Sequence, residues 1–226
     1  IEWQEQTGRD VIVGLSTTKD VQDSVLADPV HSQVIDVIDI RYWQYRKDGT
    51  LYAPKGGRNL APRQHARLDN PGKTSFEQVY RAVYEYRKKY PEKAVIYSFD
   101  RYENQGWAVF MAGGSMADIP VIADTAFLKD AAFMKPLELT EQARHHYAIG
   151  NEHTGYIIYN NTPDPMVIER TKTSGSEAIY FIDPETGQFI GHRMKIPDSK
   201  LIHIPNPNNQ PVVVWIKKLS VISIFK

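Results

Sequence analysis

Cysteine is absent from the 226 residues, which excludes disulfides, thiolate metal centres and cysteine nucleophiles. An excess of either charge is missing too: 27 basic and 27 acidic residues balance, so neither a nucleic acid nor an anionic membrane is indicated as a partner. No apolar run reaches the roughly 18 residues that a membrane-spanning helix needs. No repeat of solenoid length occurs. The opening Ile1-Glu-Trp-Gln-Glu-Gln has neither an initiator methionine nor the basic start and apolar middle of a signal peptide, and reads as the start of a fragment or a processed product. Lys55-Gly-Gly-Arg58 lacks the glycine spacing and the terminal Lys-Ser/Thr of a P-loop. The lack of cysteine fits a cytosolic and a bacterial periplasmic protein alike.

What is present is organised around Lys93-Ala-Val-Ile-Tyr-Ser-Phe-Asp100-Arg-Tyr-Glu103, an apolar run that breaks abruptly into charge. It reads as a buried strand. In parallel α/β folds, ligands and catalytic groups gather just past the carboxyl ends of the strands. Asp100 and Glu103 are therefore a candidate carboxylate pair, or else a charged loop that caps the next helix. Val34-Ile-Asp-Val-Ile-Asp-Ile40 is a second such strand, running into Arg41-Tyr42-Trp43. An arginine beside two aromatic rings suits a sugar site, and it equally suits an aromatic rim packed on a loop.

The remaining elements follow in order. Residues 1–9 read as a helix tail closed by Gly8, Val11–Leu15 as a short strand, and the hydroxyl-rich stretch after it as the start of a helix stopped by Pro29. Residues 44–73 form a long polar segment, and loops of that length often belong to binding sites. Ser75-Phe-Glu-Gln78 is a capping box for a helix carrying Phe76, Val79, Tyr80 and Val83 on one face. Gln105–Gly114 is apolar all round and should be buried, with Trp107 either a sugar platform or core. Met116–Val121 is expected to be a fourth strand, and Ala126–Met134 a helix. After Leu139 helical periodicity gives way to short β-rich runs, 156–159, 166–168, 178–182, 201–204 and 212–216, separated by turn signals, the pattern of a small antiparallel sandwich. His145, His146 and His153, with Glu152, lie on what reads as a linker. Adjacent histidines there point apart, so no metal site is assigned.

Four βα units followed by a β-rich tail resemble the apiosidase-like glycoside hydrolases, in which a (β/α)8 barrel precedes a short β-sandwich of collagen-binding-like type. Val34–Trp43 resembles that family's sixth strand and Lys93–Glu103 its seventh. Trp107-Ala-Val-Phe-Met-Ala-Gly-Gly resembles the helix before strand eight, and Tyr180-Phe-Ile-Asp-Pro-Glu-Thr-Gly187 matches the turn of its sandwich. The resemblance implies the C-terminal half of a TIM barrel, strands five to eight, over residues 1–138, and a β-sandwich over 139–226. The partner it implies is the N-terminal half of the same barrel. Where the family has its nucleophilic Glu this chain has Phe99, with Asp100 beside it, and the strand bearing the acid/base residue is not in this chain.

Glycoside hydrolysis needs two carboxyl groups, about 5–5.5 Å apart for retention and about 6.5–9.5 Å apart for inversion. Asp100, or Glu103 next to it, is the expected nucleophile or base, its partner lying on the missing half. Arg41 and Arg101 would bind hydroxyls or a uronate, while Tyr42, Trp43 and Trp107 would stack on ring faces. No cofactor is expected. The location implied is bacterial periplasmic or secreted. A non-catalytic carbohydrate-binding or scaffold protein with a degenerate barrel is the alternative.

Overall fold

The computed structural model describes residues 2–41, 45, 49–50, 75–98, 105–137, 146–151, 153–169, 177–196 and 201–218. Tyr42, Trp43, Asp100, Arg101, Glu103, His145, Glu152, most of the long polar segment and residues 219–226 lie outside them. The chain divides into two compact units, Ile1–Asp118 and Ile119–Lys226. The segment expected to be barrel, 1–138, therefore runs across the division.

The first unit alternates strands and helices: α1 (Glu2–Thr7), β1 (Gly14–Ser16), α2 (Lys19–Ala27), α3 (Pro29–Ser32), β2 (Val37–Ile40), α4 (Phe76–Lys89), β3 (Ala94–Tyr97) and α5 (Gly106–Met111). Gly8 takes φ 61°, the left-handed conformation that ends α1. Pro29 does more than stop α2. Asp28 accepts hydrogen bonds from the amides of Val30 and His31 and so caps α3, with the proline at its first position. Those two amides hold the Asp28 carboxyl below its ordinary value.

β1, β2 and β3 form a three-stranded sheet in that order. Both pairings are parallel, with Gly14 opposite Val37 and Val37 opposite Ala94. β2 is central, with Ile38 and Ile40 fully buried on one face and Asp39 buried on the other, as expected for a strand covered on both faces. α4 packs against β2, β3 and α5, burying Phe76, Val79, Ala82, Val83 and Tyr86 along one stripe. Each large apolar side chain of this kind contributes roughly 1.5–3 kcal/mol through burial. Its N-terminus is the capping box read from sequence: Ser75 Oγ accepts from the Gln78 amide at 3.2 Å, and Gln78 Oε1 accepts from the Ser75 amide at 2.8 Å. Lys93, buried before β3, donates to the carbonyls of Ser32 and Ile35, 2.8 Å each, and ties β3 to the end of α3.

One expectation changes in this unit, and one open choice is decided. Residues 116–121 form no strand. The Ser115 amide makes one rung with the Val95 carbonyl, 2.7 Å, but Met116 then turns the chain at φ 56°, and Pro120 has no N–H to extend a ladder. Among the described residues the parallel sheet thus has three strands rather than four. Trp107 is buried, 5% exposed, with its ring edge-on to Phe110 at 5.5 Å.

The second unit contains α6 (Ala126–Ala131) and strands β4 (Lys135–Pro136), β5 (His146–Asn151), β6 (Gly155–Asn160), β7 (Met166–Glu169), β8 (Glu177–Ile182), β9 (Met194–Lys195), β10 (Leu201–Ile204) and β11 (Val212–Lys218). A six-stranded sheet runs β4-β5-β6-β11-β8-β9, and β10 pairs with β7. All these pairings are antiparallel. Ile158, Ile179, Phe181, Val212, Val214 and Ile216 of the large sheet share one core with Met166, Ile202 and Ile204 of the small one. The alternate residue Trp215 is fully buried and meets Phe127 of α6 edge to face at 5.5 Å. His146 therefore begins strand β5 rather than sitting on a linker. Tyr147, Ala148, Ile149 and Gly150 are all buried, and a Cβ on Gly150 would lie 2.3 Å from the Tyr156 ring, so the glycine admits that ring. The Asp183–Gly187 turn closes as the sequence suggests: Asp183 Oδ1 accepts from the amides of Glu185 and Thr186, and Gly187 takes φ 73°.

Candidate functional site

The carboxyl ends of β2 and β3 bring polar side chains onto one face. Side chains alternate along a strand, so Asp39 and Arg41 share a face of the sheet with Ile96 and Ser98 of the neighbouring strand, where Asp39 is opposite Ile96. The Ser98 amide donates to the Ile40 carbonyl at 3.1 Å, extending the ladder one rung beyond β3. Asp39, 8% exposed, accepts the Ser98 hydroxyl hydrogen through Oδ1. Arg41 closes the group, with Nε donating to Ser98 Oγ at 3.5 Å and its terminal nitrogen 3.6 Å from Asp39 Oδ2. Ser98 thus donates to the carboxylate and accepts from the guanidinium. About half of the Arg41 side chain is exposed. A guanidinium restrained in this way can hold a hydroxyl, or a carboxylate in bidentate fashion.

Of the residues singled out from sequence, Arg41 is at this edge and Trp107 is in the interior of α5. Asp100, Glu103, Arg101, Tyr42 and Trp43 lie outside the described residues. Asp39 and Ser98 were not singled out. Their signal was available in the polar residues set into two apolar strands, yet only the pairing register brings them together.

A second polar cluster joins α2, α4 and Tyr45. Lys19, 5% exposed, is bonded to Asp23 at 3.1 Å and to Glu85 at 2.8 Å. Its ammonium also lies 4.8 Å from the centre of the Tyr86 ring. The Tyr86 hydroxyl donates to Asp23 at 2.7 Å, and the Tyr45 hydroxyl donates to Glu85. Tyr45 is held from two further directions: Gln78 Nε2 donates to its carbonyl at 2.7 Å, and the Arg81 guanidinium covers its ring at 4.2 Å. Arg81 also donates to the Gly49 carbonyl at 2.6 Å. An open cavity of about 740 Å³ is lined by Lys19, Asp23, Tyr45, Arg81 and Glu85 together with Tyr84, Lys88 and Lys89. On α4, burial and the neighbouring Tyr84 push the Tyr80 hydroxyl above its ordinary value. Among the described residues, no three His, Asp or Glu side chains are placed to hold a metal ion, and no helix is long and apolar enough to cross a membrane.

The architecture is mixed α/β, a parallel βαβ sheet followed by antiparallel sheets, with a carboxylate, a hydroxyl and a guanidinium gathered at the parallel strands' carboxyl ends. The chain belongs to the family described as Domain of unknown function (DUF6298), whose model matches residues 1–134. No curated protein matches it in sequence. Similar solved structures include one titled "Glycoside hydrolase", at 15% identity and TM-score 0.45, covering 92% of this chain and 57% of that one. Another is the GH family 44 endoglucanase Cel44A of Clostridium thermocellum, at 14% identity and TM-score 0.39, covering 87% and 50%. A third is the catalytic domain of GH30 xylanase C of Talaromyces cellulolyticus, at 10% identity and TM-score 0.44, covering 96% and 55%. The chain thus spans about half the length of the structures it resembles.

Proposed function

We propose that this chain forms part of a glycoside hydrolase that cleaves an oligo- or polysaccharide with a carboxylate pair, in the manner of the apiosidase-like enzymes. The observation that carries the reading is the Asp39, Ser98 and Arg41 group at the carboxyl ends of two adjacent parallel strands, the edge where α/β folds assemble their sites. In this reading Arg41, with Tyr42 and Trp43 after it, binds the sugar. Asp100, just past β3, is the nucleophile or base, with Glu103 as the alternative, and Arg101 lies beside it. What supports the half-barrel assignment is the parallel βαβ order of the three short strands found among the described residues, fewer than the eight that close a barrel. The implied partner is the N-terminal half of the barrel, carrying the second carboxylate, and the antiparallel unit is the accessory sandwich. A polymeric glycan substrate goes with a periplasmic or secreted location.

The test is hydrolysis of pectic and related oligosaccharides by the protein with its N-terminal half, comparing wild type with Asp100→Asn and Glu103→Gln, all confirmed as folded. Loss of turnover in Asp100→Asn supports the assignment, whereas unchanged turnover in both variants removes it. Oligosaccharide binding without turnover in the wild type would instead support a carbohydrate-binding protein with a degenerate barrel.

A further inference from the structure

We propose that the open cavity between α2 and α4 is a second saccharide site, one that takes an acidic oligosaccharide through the cations of α4. That the ligand is a saccharide rests on the proposed function, while its negative charge is argued from the cavity alone. At about 740 Å³ the cavity has the size of a small-molecule site. Four cations line it, Lys19, Arg81, Lys88 and Lys89, against two carboxylates, Asp23 and Glu85. Both carboxylates are bonded to the buried Lys19, so the surplus positive charge belongs to Arg81, Lys88 and Lys89, all three exposed. They recur at helical spacing and form one stripe along α4. Cations set around a concave surface concentrate anions there.

The cavity also has the parts that separate a sugar from a simple anion. Tyr84 lies on the same stripe, partly exposed, and stacks on Tyr80 with ring centres 5.5 Å apart and planes 14° from parallel. That stacking holds an apolar ring surface for sugar CH groups. Asp23 and Glu85, each with its side chain 40% exposed, are acceptors for hydroxyls, and they already take those of Tyr86 and Tyr45. Arg81 is restrained by its bond to the Gly49 carbonyl, 2.6 Å, and by the Tyr45 ring at 4.2 Å. Arg81 and Lys88 are seven positions apart, about 10 Å along the helix. Carboxylates on successive rings of an oligosaccharide match that spread, and a single inorganic anion does not. The ligand class is therefore a polyuronate.

The experiment is calorimetric titration of the full-length protein with trigalacturonate, cellotriose and sulfate. Trigalacturonate is expected to bind at least about tenfold more tightly than cellotriose, and the preference to shrink as salt is raised. Lys88→Gln combined with Lys89→Gln, two exposed positions whose change leaves the fold intact, should weaken trigalacturonate about tenfold. Tyr84→Leu should weaken it about fivefold, and Arg41→Ala, at the end of β2, should change this affinity less than about twofold. No binding of trigalacturonate, or equal affinity for cellotriose, overturns the proposal. Sulfate bound as tightly as trigalacturonate, with Tyr84→Leu without effect, overturns the saccharide assignment in favour of a simple anion site. Affinity lost in Arg41→Ala and kept in the lysine variant assigns the sugar to the strand ends and overturns the second site. Trigalacturonate bound through the α4 lysines of a protein that hydrolyses no glycan supports this site and refutes the proposed hydrolysis, so the two readings fail separately.

Discussion

Replacing Asp39 by Ala tests whether the polar group at the ends of β2 and β3 is a coupled unit. The Asp39 carboxylate is 8% exposed and takes the Ser98 hydroxyl, while its contact with Arg41 is longer, 3.6 Å, and reaches a side chain that is 49% exposed. A hydrogen bond to a charged group contributes about 1.5–3 kcal/mol, whereas an exposed ion pair contributes about 0–1 kcal/mol. Removing a buried carboxylate also relieves a desolvation cost, so the single substitution should destabilise by about 1–2 kcal/mol, less than the hydrogen bond alone would suggest. The sharper quantity is the coupling. Urea unfolding of Asp39→Ala, Ser98→Ala, Arg41→Ala and the two double variants with Asp39 should give about 1–2 kcal/mol between Asp39 and Ser98, and under about 0.5 kcal/mol between Asp39 and Arg41. Additivity of Asp39 and Ser98 within about 0.3 kcal/mol would refute the hydrogen bond, and a larger coupling to Arg41 than to Ser98 would reverse the ranking argued from burial.

Two further predictions concern the antiparallel unit. Burial pushes the Asp130 carboxyl above its ordinary value of 3.8, and the charge of Lys217 offsets this only in part. A raised folded-state value contributes stability that is present below the unfolded value and is lost as pH rises through the folded value. Asp130→Asn should therefore gain on the wild type in thermal unfolding as pH rises from below the ordinary carboxyl value of 3.8, and parallel curves would contradict this. Gly187→Ala places a side chain at φ 73° with its Cβ 2.4 Å from the Val121 carbonyl oxygen. The backbone alone should cost about 1–2 kcal/mol in chemical denaturation, and a loss below about 0.5 kcal/mol would contradict the turn described here.

Local signals in the chain translated directly into structure. The Ser75-Phe-Glu-Gln78 pattern became a complete capping box because all its partners lie within one helical turn. The apolar runs before Arg41 and before Ser98 became adjacent parallel strands. Residues 116–121 misled because composition says nothing of the left-handed turn at Met116 that carries the chain off the sheet edge. β5 was hidden because adjacent histidines mask its start, and its glycine reads as a breaker although it makes room for Tyr156. The pairs Asp39 with Ser98 and Tyr45 with Glu85 are 59 and 40 residues apart, and no periodicity reports contacts at that range. Trp107 was legible only as a choice between platform and core, and burial decides for core.

The central claim is that sugar binds at the carboxyl ends of β2 and β3, and a crystal structure of the protein with a bound oligosaccharide tests it most directly. The account predicts a sugar hydroxyl or carboxylate within hydrogen-bond distance of the Arg41 guanidinium, with Asp39 and Ser98 still holding that side chain. An oligosaccharide bound only to the antiparallel unit, with Arg41 untouched, would contradict it.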